Sequence, residues 1–320
     1  MEVTVVAMEH KYMKSEIDLM MDKTRIDGCL YLQDYEVSQS KGNKPFIKGI
    51  LYGRGNINFK CWSSSKAFAS LQAMHLKGQV VHITGEVSVF NDSKTLVIDT
   101  VIPSVSGYSY LDFLEVIYDE QQCWDVLMKV LSSQCTPDGL KVFQLIMQDS
   151  RVQSFRTEFA AVTHHDSCRS GLLAHTTKVV HHLANIIEWY PEILRRVDKD
   201  TLLIGAALHD IGKCMEYYHG TMSEQGLYIS HLLSGGLILA SYEPQIRQLK
   251  GDEFYYTMLA VTNQHHGIYS ERPRVLAAYL IHLVDGLDAT MTDIETQMRS
   301  NSSTGVDAPV SVRDVGKLRY

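Results

Sequence analysis

The run Leu202-Leu203-Ile204-Gly205-Ala206-Ala207-Leu208 leads directly into His209-Asp210-Ile211-Gly212-Lys213. Seven apolar residues without a break read as a helix buried on all sides. An imidazole and a carboxylate at the end of such a helix are costly to bury without compensation. A metal ion compensates both together, so the chain must fold in a way that brings further ligands to this point.

Histidine placement supplies them. Of the fourteen histidines, all but His10, His75 and His82 lie between His164 and His282, and clustered histidines serve as metal ligands or acid–base groups. His175 lies early in a long amphipathic stretch, Gly171 to Tyr190. His231 opens a later helical stretch, and the pair His265-His266 closes another. Asp285 ends Tyr279-Leu280-Ile281-His282-Leu283-Val284-Asp285, an apolar setting hard to explain for a carboxylate without a cation. Five helices thus offer nitrogen or carboxylate ligands to one interior, as bundle cores do when they build metal sites. His181, His182, His219 and His282 read as surface or packing residues; for His282, three residues before Asp285 on the same helix face, a role supporting that carboxylate is the alternative.

At 320 residues, with 45% hydrophobic and 21% charged residues, the chain has room for two domains with cores of their own. The net charge of −7 excludes a global basic field, so any nucleic-acid contact rests on a local patch. Cys29, Cys61, Cys123, Cys135, Cys168 and Cys214 form no C-x-x-C, which argues against a zinc knuckle or a disulfide framework and for reduced thiols in a cytoplasmic protein. Met1 to His10 has no basic signal-like region, and no 18-residue apolar stretch is available to span a membrane.

The first hundred residues have a different texture. Short strands are predicted over Cys29–Leu32, Phe46–Leu51, Asn58–Trp62, Val80–Val87 and Leu96–Asp99, separated by Gly-, Asn- and Pro-containing turns. A helical insert, Ser65–Leu76, falls between the third and fourth strands, the order expected of an OB barrel. Such a barrel binds single strands through exposed aromatics and cations; Tyr52, Phe59 and Trp62 are candidates to stack bases, with Lys44, Lys48, Arg54 and Lys60 on the phosphates. Helices are predicted over 123–132, 138–149, 152–160, 171–190, 200–209, 228–241, 252–265 and 275–291, with Asp200 and Asp252 as N-caps and Gly267 as a C-cap. The expected organisation is an N-terminal segment 1–15, an OB domain 16–103, a linker 104–122, a helical domain 123–300 and a poorly packed polar tail 301–320.

The order H…HD…H…HH…D resembles the HD-domain metal-dependent phosphohydrolases. More narrowly, His164-His165, Gly171-Leu172-Leu173-Ala174-His175-Thr176, Leu208 to Lys213, His265-His266-Gly267 and Asp285-Gly286-Leu287-Asp288-Ala289 are similar to the YhaM-type 3′→5′ exoribonucleases. The N-terminal motifs Gly42-Asn43-Lys44-Pro45-Phe46 and Gly78-Gln79-Val80-Val81-His82-Ile83-Thr84-Gly85 match the OB domain of that family. Two positions depart from its pattern: Gln225-Gly226 stands where Glu-Gly is usual, and Ser230 where glycine commonly precedes the third histidine.

The resemblance implies a multidomain fold, an N-terminal all-β OB-fold barrel followed by an all-α HD-domain helical bundle. It also implies exonucleolytic hydrolysis of phosphodiester bonds by metal-activated water. His175, His209, Asp210 and Asp285 would hold one divalent ion. Asp210 would bridge to a second held by His231 and His265, with His266 completing it or lying beside it. Lys213 would reach a phosphate oxygen or the leaving group, and His165 and Arg169 would grip the substrate phosphate. Manganese is the ion most associated with the family, and nitrogen and oxygen ligands without thiolate suit it. The implied partner is single-stranded RNA, or DNA, and the family also suggests a homo-oligomer. Two other readings stand beside this one: a phosphohydrolase acting on a nucleotide or cyclic nucleotide, and a nucleic-acid-binding protein with an inactive hydrolase site. The complete ligand set argues against decay.

Overall fold

A computed structural model describes residues 9–40, 42–90, 93–114, 116–161, 168–266, 271–304, 309–312 and 316–318. The chain divides into two units, Met1–Val116 and Ile117–Tyr320.

The first unit is a closed five-stranded barrel. A short helix α1 (Lys14–Leu19) precedes β1 (Arg25–Gln39), β2 (Pro45–Tyr52) and β3 (Asn56–Trp62); helix α2 (Lys66–Ala73) separates these from β4 (Gln79–Phe90) and β5 (Ser93–Pro103). The strand order β1-β2-β3-β5-β4, closed by β1 against β4, with its helix between the third and fourth strands, is that of an OB barrel. Strands tilted enough to close a barrel must bend. Register shifts supply the bends at Leu32/Asp34 in β1 and at Thr84/Gly85 in β4. Gly49 faces the first bend, and a Cβ there would lie 2.2 Å from the Asp34 carbonyl oxygen. The strands run well beyond the short apolar cores predicted for them, because polar residues at their ends continue the ladder. Ser65 caps α2 by accepting from Phe68 N at 3.2 Å.

The second unit is helical. It comprises α3 (Glu120–Gln134), α4 (Pro137–Met147), a 3-10 turn (Ser150–Arg156), α5 (Gly171–Ile187), α6 (Pro191–Leu194), α7 (Lys199–Leu208) and α8 (Lys213–Glu216). A two-residue hairpin, β6 (Tyr217–Tyr218) and β7 (Thr221–Met222), then leads to α9 (His231–Ala240), α10 (Glu243–Gln264) and α11 (Leu276–Thr304). The bundle is built around α7, which packs against α4, α5, α10 and α11 and is buried from Asp200 to Leu208. This is the helix that the uninterrupted apolar run requires.

Two local expectations change, and one holds. Asp200 does not cap its own helix. It accepts from Thr136 N at 2.8 Å, at the start of α4, and from Lys250 Nζ at 2.7 Å, which explains how a carboxylate only 1% exposed is tolerated. The helix expected from Asp252 does begin there: α10 is two helices joined at a kink, and Gly251 between them has the non-helical φ 83° and ψ 178° that glycine accepts. The tail is not uniformly unpacked. A hairpin of β8 (Val310–Val312) and β9 (Gly316–Leu318) buries Val310, and the Gln297 amide bonds both the Ser311 N–H and its carbonyl. Gly267, expected as a C-cap, lies outside the described residues. Among the described residues no helix is long and apolar enough to cross a membrane.

Candidate metal centre

The α7 helix stops at Leu208, and the next four residues form tight turns, with Ile211 N on Leu208 O at 3.2 Å and Lys213 N on Asp210 O at 2.9 Å. Gly212 is required here by packing. A Cβ at this position would lie 2.0 Å from His231 O and 2.5 Å from Gly235 N, so the bare backbone lets the first turn of α9 rest on the turn that carries Asp210. His231 is thereby delivered to the carboxylate. His175 comes from the second turn of α5, His265 and His266 from the end of α10, and Asp285 from α11.

These side chains meet around Asp210, and its two oxygens face different partners. Oδ2 lies 3.6 Å from His175 Nε2 and 3.4 Å from His209 Nε2. Oδ1 lies 3.5 Å from His231 Nε2 and 3.3 Å from His265 Nε2. Asp285 Oδ1 joins the first side, 3.1 Å from His175 Nε2 and 3.9 Å from His209 Nε2. His266 joins the second, its Nε2 3.0 Å from that of His231. The groupings Asp210/His231/His265/His266 and His175/His209/Asp210 each place their ligand atoms within 4.8 Å of one another.

The other ring nitrogens account for this convergence. His209 Nδ1 donates to Ala206 O at 2.7 Å and His265 Nδ1 to Val261 O at 3.0 Å. His175 Nδ1 donates to Asp288 Oδ2 at 2.8 Å and His231 Nδ1 to Glu216 Oε2 at 2.6 Å. With the proton held at Nδ1, each neutral ring turns a lone pair at Nε2 inward. Lone pairs facing one another and a carboxylate repel unless a cation lies between them. The buried Asp210 Oδ1 and His265 Nε2 accordingly make no hydrogen bond among the described residues. The residues present therefore fit divalent cations, and the donors are nitrogen and oxygen throughout.

The electrostatics agree. Burial alone would raise Asp210, yet Lys213 and the histidines hold its carboxyl well below the usual range. Burial would lower His175, but its bonds to Asp285 and Asp288 push it up to about 10, so this side of the pocket favours positive charge. On the other side burial keeps His265 low and, with His265 adjacent, brings His266 down to about 3, leaving free lone pairs. Lys213 sits 2.6 Å from Asp210 Oδ2. Burial opposes its charge, and the Asp210 carboxylate more than restores it.

No family model matches the chain. Curated relatives do. The 3'-5' exoribonuclease YhaM of Shouchella clausii is 26% identical over 277 residues, covering 82% of this chain and 83% of its own. That of Oceanobacillus iheyensis is 25% identical over 292 residues, 87% and 88% of the two chains. That of Bacillus subtilis is 22% identical over 278 residues, 83% and 85%. The chain is similar to these YhaM proteins. Its likeness to them spans both units, as the motif order implies. Among solved structures, the mitochondrial single-stranded DNA binding protein Rim1 of S. cerevisiae covers 27% of this chain and 100% of its own at 14% identity, TM-score 0.23. An SSB domain from Synechococcus sp. covers 26% and 94% at 13% identity, TM-score 0.21. The barrel assignment itself rests on strand order and closure.

The remaining sequence-predicted residues are placed unevenly. Arg169 Nη2 lies 3.5 Å from Glu120 Oε2 on α3. His165 lies outside the described residues. In the barrel, Trp62 is 42% exposed, with the Phe46 ring at 5.5 Å and Lys60 Nζ 5.7 Å from its centroid. Lys60 also lines a groove of about 490 Å³ with Tyr35, Phe46, Lys48 and Asn58. Lys44 and Arg54 are exposed, whereas Lys48 is paired with Glu36 at 3.0 Å. Phe59 and Tyr52 are corrections. They are 2% and 6% exposed, packed in the barrel core, and cannot stack a base there. In β3 the inward set is Ile57, Phe59 and Cys61, a period of two already visible in Asn56-Ile57-Asn58-Phe59-Lys60-Cys61.

Sequence reasoning missed Glu216 and Asp288, the carboxylates that fix His231 and His175. Asp288 stands three residues after Asp285, one helical turn on the same face, and that spacing was the available signal. Glu216 has none, because only the turn through Gly212 brings it back to His231. His282, read as a surface or packing residue, donates from Nδ1 to the His265 carbonyl at 2.7 Å, tying α11 to the end of α10.

Proposed function

We propose that the chain is a metal-dependent 3′→5′ exoribonuclease, in which the helical unit cuts and the barrel holds the single strand. The observation that carries this reading is the shared carboxylate: the two oxygens of Asp210 face two separate groups of histidine Nε2 atoms. His175, His209, Asp210 and Asp285 would hold one divalent ion, and Asp210, His231, His265 and His266 a second, with manganese suited to donors of this kind. Two such ions supply an activated water and neutralise charge on the phosphoryl oxygens. Substrate and direction are taken from the relatives, which are 3'-5' exoribonucleases.

The chain's own groups have definable roles. Lys213 keeps Asp210 ionised in a buried setting and, as a cation at the edge of the cluster, can contact a phosphate oxygen or the leaving group. Glu216 and Asp288 hold His231 and His175 in the tautomer that turns Nε2 inward. Arg169 and His165 would bind the terminal phosphate, Arg169 exchanging Glu120 for it. In the barrel, Trp62 offers a stacking face beside Lys60, with Lys44, Lys48 and Arg54 as further phosphate contacts.

The test is digestion of 5′-labelled RNA and DNA strands in manganese. A ladder shortening stepwise from the 3′ end on RNA is expected. Hydrolysis of mononucleotides or cyclic nucleotides with RNA left intact would replace this reading with that of a nucleotide phosphohydrolase. Binding of RNA without any hydrolysis would point to an inactive site.

A further inference from the structure

The barrel unit gathers a thiol, a carboxylate and an imidazole around one point. Cys29 on β1 and His82 on β4 are directly opposed in the antiparallel register, so their side chains share a face. The N-terminal segment lies along β1, with Cys29 N donating to His10 O at 2.7 Å and Tyr12 N to Cys29 O at 3.1 Å. This sets Glu9 over the pair. Cys29 Sγ is 2.8 Å from Glu9 Oε2, and His82 Nδ1 is 2.9 Å from Glu9 Oε1. The three ligand atoms lie within 4.8 Å of one another. Ser104 Oγ is 2.7 Å from Glu9 Oε2 and 3.2 Å from Cys29 Sγ; Ser106 Oγ is 3.7 Å from Cys29 Sγ.

Three features set this cluster apart from an ordinary polar patch. It draws ligand types from three backbone segments already fixed by main-chain hydrogen bonds, so little ordering remains to be done on binding. Among the described residues, its acidic groups Glu9 and Asp27 both face one basic group, His82. Asp27 Oδ1 is 2.7 Å from His82 Nε2, the carboxylate–imidazole arrangement that orients a ligating histidine through its second nitrogen.

We propose that Glu9, Cys29 and His82 form a binding site for a divalent cation of the zinc class, its fourth position filled by water or the Ser104 hydroxyl. Binding releases the Cys29 thiol proton to solvent and takes the Nδ1 lone pair of the His82 ring. A thiolate and a neutral imidazole remain, the latter still donating from Nε2 to Asp27. Sulfur selects zinc over manganese, so this site differs in kind from the sulfur-free cluster in the bundle. Its structural effect is to fasten the N-terminal segment to the barrel.

Cobalt(II) tests this on the full chain, because a thiolate-to-cobalt charge-transfer band in the near ultraviolet reports sulfur ligation, which the bundle ligands cannot give. The expected result is a band whose final amplitude corresponds to one thiolate-bound cobalt per chain, removed by zinc. It is lost in Cys29→Ser and in Glu9→Gln, and kept in Cys123→Ser. Glu9→Gln, at a half-buried position, serves if Cys29→Ser does not fold. A full chain that shows no such band, or a band that persists in both site variants, overturns the proposal and leaves a hydrogen-bonded cluster only.

Discussion

The barrel groove and the bundle centre offer ligands in opposite ways. In the bundle the groups are buried, and each of four histidines has its second nitrogen tied to a carbonyl or carboxylate, so the inward orientation is determined before anything binds. In and beside the groove the groups are exposed or half-buried and few are held: Trp62 rests beside Phe46 and Lys60, and Lys48 is paired with Glu36. Chemistry on phosphorus needs fixed geometry. Holding a strand of any sequence needs only stacking faces and mobile cations. The difference teaches that the bundle should fail abruptly when one group is changed, and the barrel gradually.

The largest expected effect is at the shared carboxylate. Asp210→Ala should reduce hydrolysis by about a thousandfold or more while RNA affinity, measured by fluorescence anisotropy, stays close to wild type. An equal loss of binding and cleavage would break the division between units. Next come the orienting carboxylates. Glu216→Gln and Asp288→Asn should each weaken manganese binding by about 10- to 100-fold, read by metal titration; unchanged affinity would show that the histidines need no such support. In the barrel, Trp62→Ala should weaken single-strand binding by roughly 1–3 kcal/mol without altering turnover of a small phosphodiester. Phe59→Ala should instead destabilise the barrel by about 3–5 kcal/mol, visible as a lower thermal midpoint.

The smallest effect separates a structural ion pair from the functional cluster. The Arg151 guanidinium, bonded to Asp149 at 2.5–3.1 Å, brings the Asp149 carboxyl down to about 2. A depressed carboxyl contributes stability that is complete above the ordinary aspartate range and lost as pH falls through the folded value. Asp149→Asn should therefore cost on the order of 1 kcal/mol at neutral pH, discounted because Arg151 is partly solvated. That difference should close between about pH 4 and pH 2 in denaturant titrations. A gap that stays constant with pH would mean that the charge is not what stabilises this turn.

Legibility in the sequence follows the same division. His175, His209, Asp210, His231, His265 and Asp285 are legible because polar ligands in apolar surroundings or at helix ends are costly unless a cation compensates them. Glu216 is hidden because its contact with His231 depends on a turn that Gly212 permits, and no period in the sequence reports it. In the barrel, fold class follows from strand and turn order, but the facing of each residue depends on strand phase. The aromatic character of Phe59 suggests a stacking face, whereas its alternation with Asn58 and Lys60 places it in the core. Asp200 resembles a local cap because its true partners, Thr136 and Lys250, are far away in sequence.

The central claim is that Asp210 joins two cation sites. Electron paramagnetic resonance of the full chain with two equivalents of manganese(II) tests it directly. The account predicts the spectrum of an exchange-coupled pair, replaced in Asp210→Ala by an isolated ion or by free manganese. A wild-type spectrum of isolated ions alone would contradict it.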